Sequence, residues 1–214
     1  SSPTLVSGVF SINKGAPTDP VVARNFNSFN DAYNYIKCGI SNAVVFNVLA
    51  GSGIYNEQLV MAPVPGASAT NTVTFNGNGQ TISYKATNGS ERATIKLDGA
   101  DHIIFNNLVI EATGSTSSEY GYGVQLMNDA DSNIVNNCTI NVNTTSTSTN
   151  FAGIVVSSSA TFATNSGDAK CDANVFSGNN ITGGYYGITL VGSDNFANGS
   201  NKILNNQVKE FYTY

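Results

Sequence analysis

Charge is what this sequence has least of. Only 11% of its 214 residues are Asp, Glu, Lys or Arg, and the formal balance is −5. No basic run interrupts that balance, which excludes nucleic acid and anionic membrane surfaces as partners. With 41% hydrophobic residues the chain is too apolar for disorder and long enough for one sizeable core, so a single domain over 1–214 is expected. It lacks the eighteen or more consecutive apolar residues of a membrane-spanning helix, which excludes direct insertion. No signal-peptide pattern opens it, so the expected chain is soluble or already processed. The three cysteines, Cys38, Cys138 and Cys171, lack metal-ligand spacing, which argues against zinc. They read as small buried side chains, with a Cys138–Cys171 bridge as the alternative. The only histidine, His102, has no Ser or Cys partner at a recognisable elbow, which argues against a nucleophilic triad.

In place of Lys and Glu, the polar fraction is Asn, Ser, Thr and Gly, a mixture that disfavours helices and suits turn-rich β architecture. Internal repeats then decide the fold. "DHIIFNNLVI" at 101–110 returns as "DSNIVNNCTI" at 131–140, and weaker copies run from Val175 to Ile181 and from Ile203 to Val208. Between them a second strand recurs: Thr94–Leu97, Gly123–Leu126, Gly153–Val156 and Gly187–Leu190. Two short strands per turn joined by polar loops describe a solenoid of about six coils whose like strands stack in parallel. Ile104, Ile134 and Val175 are taken as the inward aliphatics. Asn107, Asn137, Asn180 and Asn206 are expected to form a structural asparagine ladder at a corner, because Asn enters the left-handed region at low cost.

Upstream, Phe29, Ala32, Tyr33 and Ile36 recur at helical spacing, Ser28 and Asp31 resemble a capping box, and Gly39 stands where a helix would stop. A short amphipathic helix within about 26–39 should cap the open end of the solenoid. The strand Val45-Phe46-Asn47-Val48, the turn Gly53-x-Tyr55-x-Glu57 and then Val73-Thr74-Phe75 with Gly77 and Gly79 follow. Together these residues resemble the opening of the pectin lyase-like right-handed parallel β-helix superfamily. In "YNEQLVMAPVPGASATNTVTF", 55–75, they are similar to secreted or cell-surface β-helix proteins of Bacteroidetes. The resemblance implies an all-β, right-handed parallel β-helix at the cell surface or outside the cell, and it leaves activity open because such folds host lyases, hydrolases, esterases and structural spikes.

Each of these chemistries requires its own set of residues. A lyase of this type would use Arg or Lys beside carboxylate-held Ca²⁺. The two arginines, Arg24 and Arg92, fall outside the strand patterns. The Gly-His-Gly and Arg-x-Lys elements of a polygalacturonase, and the paired Asp with nearby Arg of a pectin methylesterase, are not found. Asp101, Asp131 and Asp172 do fall in line, with neighbours ~5 Å apart in a regular coil. With Asp129 and Asn128 they make a weak candidate Ca²⁺ site, against the plainer reading that Asp begins turns and its side chain spreads into water.

Loop lengths supply the remaining candidate. The connections Glu111–Tyr122 and Asn141–Ala152 are long, whereas Thr182–Tyr186 is short. Stacked, they leave a step floored by Tyr185 and Tyr186 and walled by Glu119, Tyr120 and Tyr122, a set suited to the faces and hydroxyls of sugars. The last residues, "ILNNQVKEFYTY", start another coil without a cap, so a continuation of the chain or a partner subunit is expected there. Two functions stand. The first is a non-catalytic extracellular β-helix module, structural, adhesive or glycan-binding, with no cofactor. The alternative is a polysaccharide lyase or glycoside hydrolase using Asp101, Asp131 or Glu119, with Ca²⁺.

Overall fold

The computed structural model describes residues 5–193 and 198–213. The ten residues 103–112 show how the fold arises. Ile103 points in, Ile104 out, Phe105 in and Asn106 out, in strict alternation. Asn107 then turns the chain at φ 50°, and the alternation resumes with Leu108 in, Val109 out, Ile110 in and Glu111 out. One left-handed residue therefore bends a strand through a corner without breaking the core face. The equivalent residues Asn137, Gly178 and Asn205 have φ 52°, 64° and 54°. Only Gly, or Asn at a modest cost, takes that backbone readily.

The coil thus carries three strands, not the two read from sequence, because the repeat block holds two strands meeting at the corner. The first sheet runs, in order along the axis, through Asn25–Phe26, Val6–Ile12, Ile40–Val48, Val73–Asn76, Ile103–Asn106, Ile134–Asn136, Val175–Ser177 and Lys202–Leu204. The second stacks Ile54–Asn56, Thr81–Tyr84, Val109–Ala112, Thr139–Asn141, Asn180–Thr182 and Gln207–Lys209. The third stacks Leu59–Met61, Ala93–Asp98, Gly121–Met127, Phe151–Val156 and Tyr186–Leu190. The result is an all-β, right-handed parallel β-helix of about seven turns, one more than expected. The extra turn comes from Val6–Ile12, which pairs in parallel with Ile40–Val48 ahead of the helix.

Inside, one core runs from Val6 to Ile181. Phe46, Phe75 and Phe105 stack coil on coil, with ring centroids 4.9 and 5.2 Å apart. Ile104, Ile134 and Val175, read as inward, instead form a half-buried outward column, and the inward row is Phe105, Val135 and Phe176. A one-residue error of register flips every side chain, and the error arose because Asn133 and Asn174 occupy inward positions where an aliphatic was expected.

Those inward amides are the true ladders. Asn133 Oδ1 accepts from Ile103 N and its Nδ2 donates to Ala100 O, at 2.9 and 2.8 Å. Asn174 repeats the pattern on Asn133 N and Ala130 O, and Asn201 on Asn174 N and Cys171 O. A second ladder lies just past the corner: Asn179 accepts from Cys138 N and Asn206 from Asn179 N, both at 2.9 Å. Asn206 is therefore in a ladder as expected. Asn180 is not; it faces solvent one residue too late, while Asn107 and Asn137 form the corner itself with exposed side chains.

The helix Phe29–Ile36 lies within the expected span, with Ser28 Oγ accepting from Asp31 N and Phe29, Ala32 and Ile36 buried. Its first turn is also held from across the coil. Glu57 accepts from Phe29 N, Asn30 N and Asn30 Nδ2, at 2.9, 3.0 and 2.6 Å, which neutralises free N–H groups at the positive end of the helix. On the third sheet Gly123, Gly153 and Gly187 form a column where a Cβ would overlap Ile140, Ile181 and Val208 of the second sheet; the preceding coil has Thr94 there. No disulfide forms: Cys138 and Cys171 are free and buried, and burial pushes both thiols up to about 11, whereas Cys38 is exposed.

Asn174→Leu keeps the volume but strands Asn133 N and Ala130 O. Urea unfolding should register a loss of about 2–5 kcal/mol. Asn107→Val, which only strains the left-handed corner, should cost about 1–2 kcal/mol.

Candidate ligand-binding surface

The connections from the second to the third sheet all emerge along one edge of the solenoid, and their lengths differ. Residues 113–120 and 143–150 bulge outward. Between them lies a groove of about 370 Å³, lined by Glu111, Thr113, Ser115, Asn141, Asn143 and Thr144 among others. Glu111 and Asn141 are register neighbours on the outer face of the second sheet and form part of its lining. Asn143 shapes the upper loop, accepting from Thr145 N and Ser146 N at 2.9 and 2.7 Å while its Nδ2 reaches Gly114 O. On the far side of that loop a second groove, about 410 Å³, is lined by Thr144, Thr145, Ser146, Glu210, Phe211 and Tyr212.

The step exists where the short connection lies. Gly183 and Gly184, at φ 86° and 89°, let the chain pass directly under the 143 loop, with Gly184 N bonded to Asn143 O. Tyr185 packs edge-on against Tyr186 at 4.7 Å and, tilted by 40°, against Tyr212 at 5.1 Å. Tyr212, 61% exposed, was missed in the sequence because nothing in "EFYTY" showed that it returns beneath Tyr185. Hydrogen bonds from Tyr212 N to Gly184 O and from Thr213 N to Tyr185 O hold it there.

The expected wall does not form. Tyr122 is fully buried among Ala93, Ala152, Val155 and Ala163, so it presents no face to a ligand. The third sheet turns it outward, but residues 157–169 fold over it, and sequence gave no sign of that covering. Tyr120 is half-buried and lies over the Arg92 guanidinium at 4.3 Å. Arg92 also donates to Gly89 O, Asn150 Oδ1 and Tyr122 Oη, so it ties two connections together. The four named tyrosines thus divide, with Tyr185 and Tyr186 at the step and Tyr120 and Tyr122 around Arg92.

Glu119 is locked. It pairs with Lys85 at 2.6 Å and accepts from Ser115 N and Thr116 N at 2.7 and 3.1 Å. The Lys85 hydrogen bond first, then that from Ser115 N, pulls its carboxyl down to about 2. A group so placed stays ionised and fixes the 113–119 loop, which makes it a poor acid or base.

Asp101, Asp131 and Asp172 stack as expected, but one oxygen of each accepts a main-chain N–H of the next coil. Asp131 N reaches Asp101 at 2.7 Å, Asp172 N reaches Asp131 at 2.6 Å, and Gly199 N reaches Asp172. Burial, with Asp129, Asp101 and Asp172 nearby, pushes the Asp131 carboxyl up. Among the described residues no three His, Cys, Asp or Glu side chains come together in a group that could hold a metal ion, and Asp129 stands exposed at φ 69°.

No protein-family model matches the chain, and no curated protein matches it. Among solved structures it is similar to a pectin methylesterase variant determined in complex with a hexasaccharide, at TM-score 0.56 and 12% identity over 93% of this chain. This chain spans 54% of that protein. A pectin methylesterase from Aspergillus niger aligns over 99% of this chain and 91% of its own, at 14% identity and TM-score 0.46.

The two carboxyls shift in opposite directions, and acid titration should separate them. The Glu119 carboxyl is depressed, so its stabilising contribution is complete above about 4.5, the usual Glu value, and falls away as pH drops towards about 2. Thermal melts of Glu119→Gln should therefore lose part of the acid sensitivity of the parent. The Asp131 carboxyl is raised, so its ionised form opposes folding. Asp131→Asn, which still accepts from Asp172 N, should raise the melting temperature near neutral pH, with the gain vanishing in acid.

Proposed function

We propose that this chain, which has the pectin lyase-like β-helix fold, is an extracellular glycan-binding module without catalytic activity of its own. The observation that carries the reading is the edge of two adjoining grooves, lined by Thr, Ser and Asn and ending on the Tyr185–Tyr212 pair. Hydroxyls and amides there can exchange hydrogen bonds with sugar hydroxyls, and a partly exposed aromatic face can cover the C–H face of a pyranose. Both grooves are shallow and open, which suits a polymer resting along the edge better than a small molecule. The carboxylates offered by sequence are spent on structure, Glu119 on Lys85 and its loop, Asp101 and Asp172 on main-chain N–H groups. No helix among the described residues is long and apolar enough to cross a membrane, and the hydroxyl-rich surface suits display outside the cell.

A second reading, a carbohydrate-cleaving enzyme, is favoured by one observation. Asp131 has a raised carboxyl in a row of like charges, which is the environment a general acid requires.

A glycan-array screen with and without Ca²⁺, followed by mass spectrometry of the bound oligosaccharides, separates the two. Binding without cleavage is expected, with Tyr185→Ala and Tyr212→Ala each weakening it roughly five- to tenfold and Asp131→Asn leaving it unchanged. Cleavage that disappears in Asp131→Asn would overturn the reading.

A further inference from the structure

The third sheet turns a row of side chains away from the core: Lys96, Gln125, Val155 and Thr189, in register on successive coils. On an exposed face such a row would meet water. Here Gln125 and Val155 are completely buried and Thr189 nearly so. The covering over Gln125 and Val155 is the segment 157–169, which crosses the sheet after the strand Phe151–Val156. Gln125 Nε2 donates to Ser159 O at 3.1 Å, Tyr122 Oη to Thr161 O at 3.5 Å, and Ala163 packs with Val155 and Tyr122.

The covering is poorly matched to what it covers. Gln125 Oε1 has no hydrogen-bond partner among the described residues and is sealed from water-sized space. Exchanging the two ends of the Gln125 amide only transfers the deficit to its nitrogen. An orphan polar atom of this kind penalises the closed arrangement, and hydration would relieve it.

The segment is also weakly attached. Besides the bonds from Gln125 and Tyr122, and one from Ser193 Oγ to Asp168 at 3.3 Å, its order comes from side-chain bonds within itself: Ser157 Oγ to Phe162 O at 2.7 Å, Thr161 N to Ser159 Oγ at 3.1 Å and Asn165 Nδ2 to Ser158 Oγ at 2.8 Å. Among the described residues no main-chain to main-chain hydrogen bond involves 157–166. Phe162, the one large apolar side chain on it, faces solvent at 61% exposure and anchors nothing. Main-chain bonds resume only at Ala169, which bonds Gly167 and Asp129.

We propose that residues 157–166 are a displaceable lid that lifts as a unit from the outer face of the third sheet while the solenoid, with Ala169 and Cys171 in its core, stays folded. Opening hydrates the orphan oxygen of Gln125 and presents its amide, with Val155 and the Tyr122 hydroxyl, to solvent. The proposal is independent of the groove reading above, since the grooves lie on the edge between the second and third sheets.

Native-state thiol labelling tests it, with clocks already in the molecule. In the Cys38→Ser background, Val155→Cys places a thiol under the lid, while Cys138 and Cys171 lie in the solenoid core. The expected result is modification of the residue-155 thiol by iodoacetamide at least tenfold faster than of Cys138 and Cys171, at a rate almost insensitive to low urea. Core cysteines, which need global unfolding, should respond to urea steeply. Any loosening of the whole fold by the substitution would speed all three thiols together. Equal rates with a shared urea dependence would overturn the proposal.

Discussion

Everything in this molecule depends on keeping main-chain ladders in register along one axis while the chain turns corners. A β-strand buries one face cheaply, but a corner inside a stack leaves N–H and C=O groups pointing nowhere. The chain solves this in two ways. A left-handed residue at Asn107, Asn137, Gly178 and Asn205 turns the corner in one step, and inward amides at Asn133, Asn174, Asn179, Asn201 and Asn206 collect the main-chain groups that the corners leave over. The phenylalanine stack and the aliphatic rows fill the space these bonds define.

This arrangement explains what could be read from residues alone. The repeat of "NN" announced the corner, the alternation of Ile, Phe and Val announced stacked strands, and Ser28 with Gly39 bracketed the helix. What failed was phase. Two adjacent isoleucines at 103 and 104 gave no clue to which faced in, and the asparagines at 133 and 174 hold inward positions where an aliphatic was expected. A pattern of period two is unforgiving in that respect, since a single step exchanges inside for outside.

The surface was legible only where geometry follows from length. Two long connections beside a short one did produce a step, with Tyr185 and Tyr186 on it. The wall was lost because the partners of Tyr122 and Glu119 come from other coils: residues 157–169 bury the tyrosine and Lys85 holds the glutamate. Tyr212 joins the site by returning under Tyr185, a contact twenty-seven residues away that no local pattern encodes. Strands report their own faces, whereas connections take their meaning from whatever lies above and below them.

The glycine column at 123, 153 and 187 bears on how such a chain can change. Because an aliphatic of the second sheet fills the space of each missing Cβ, the three coils bring their second and third sheets together in the same way at this point, whatever the lengths of the connections between them. The coil at Thr94 is cut to another pattern, its hydroxyl bonded to Glu111 O, and joins the series only at its upper edge. On one side of that boundary any side chain larger than hydrogen would wedge the two sheets apart, while on the other a side chain already stands between them.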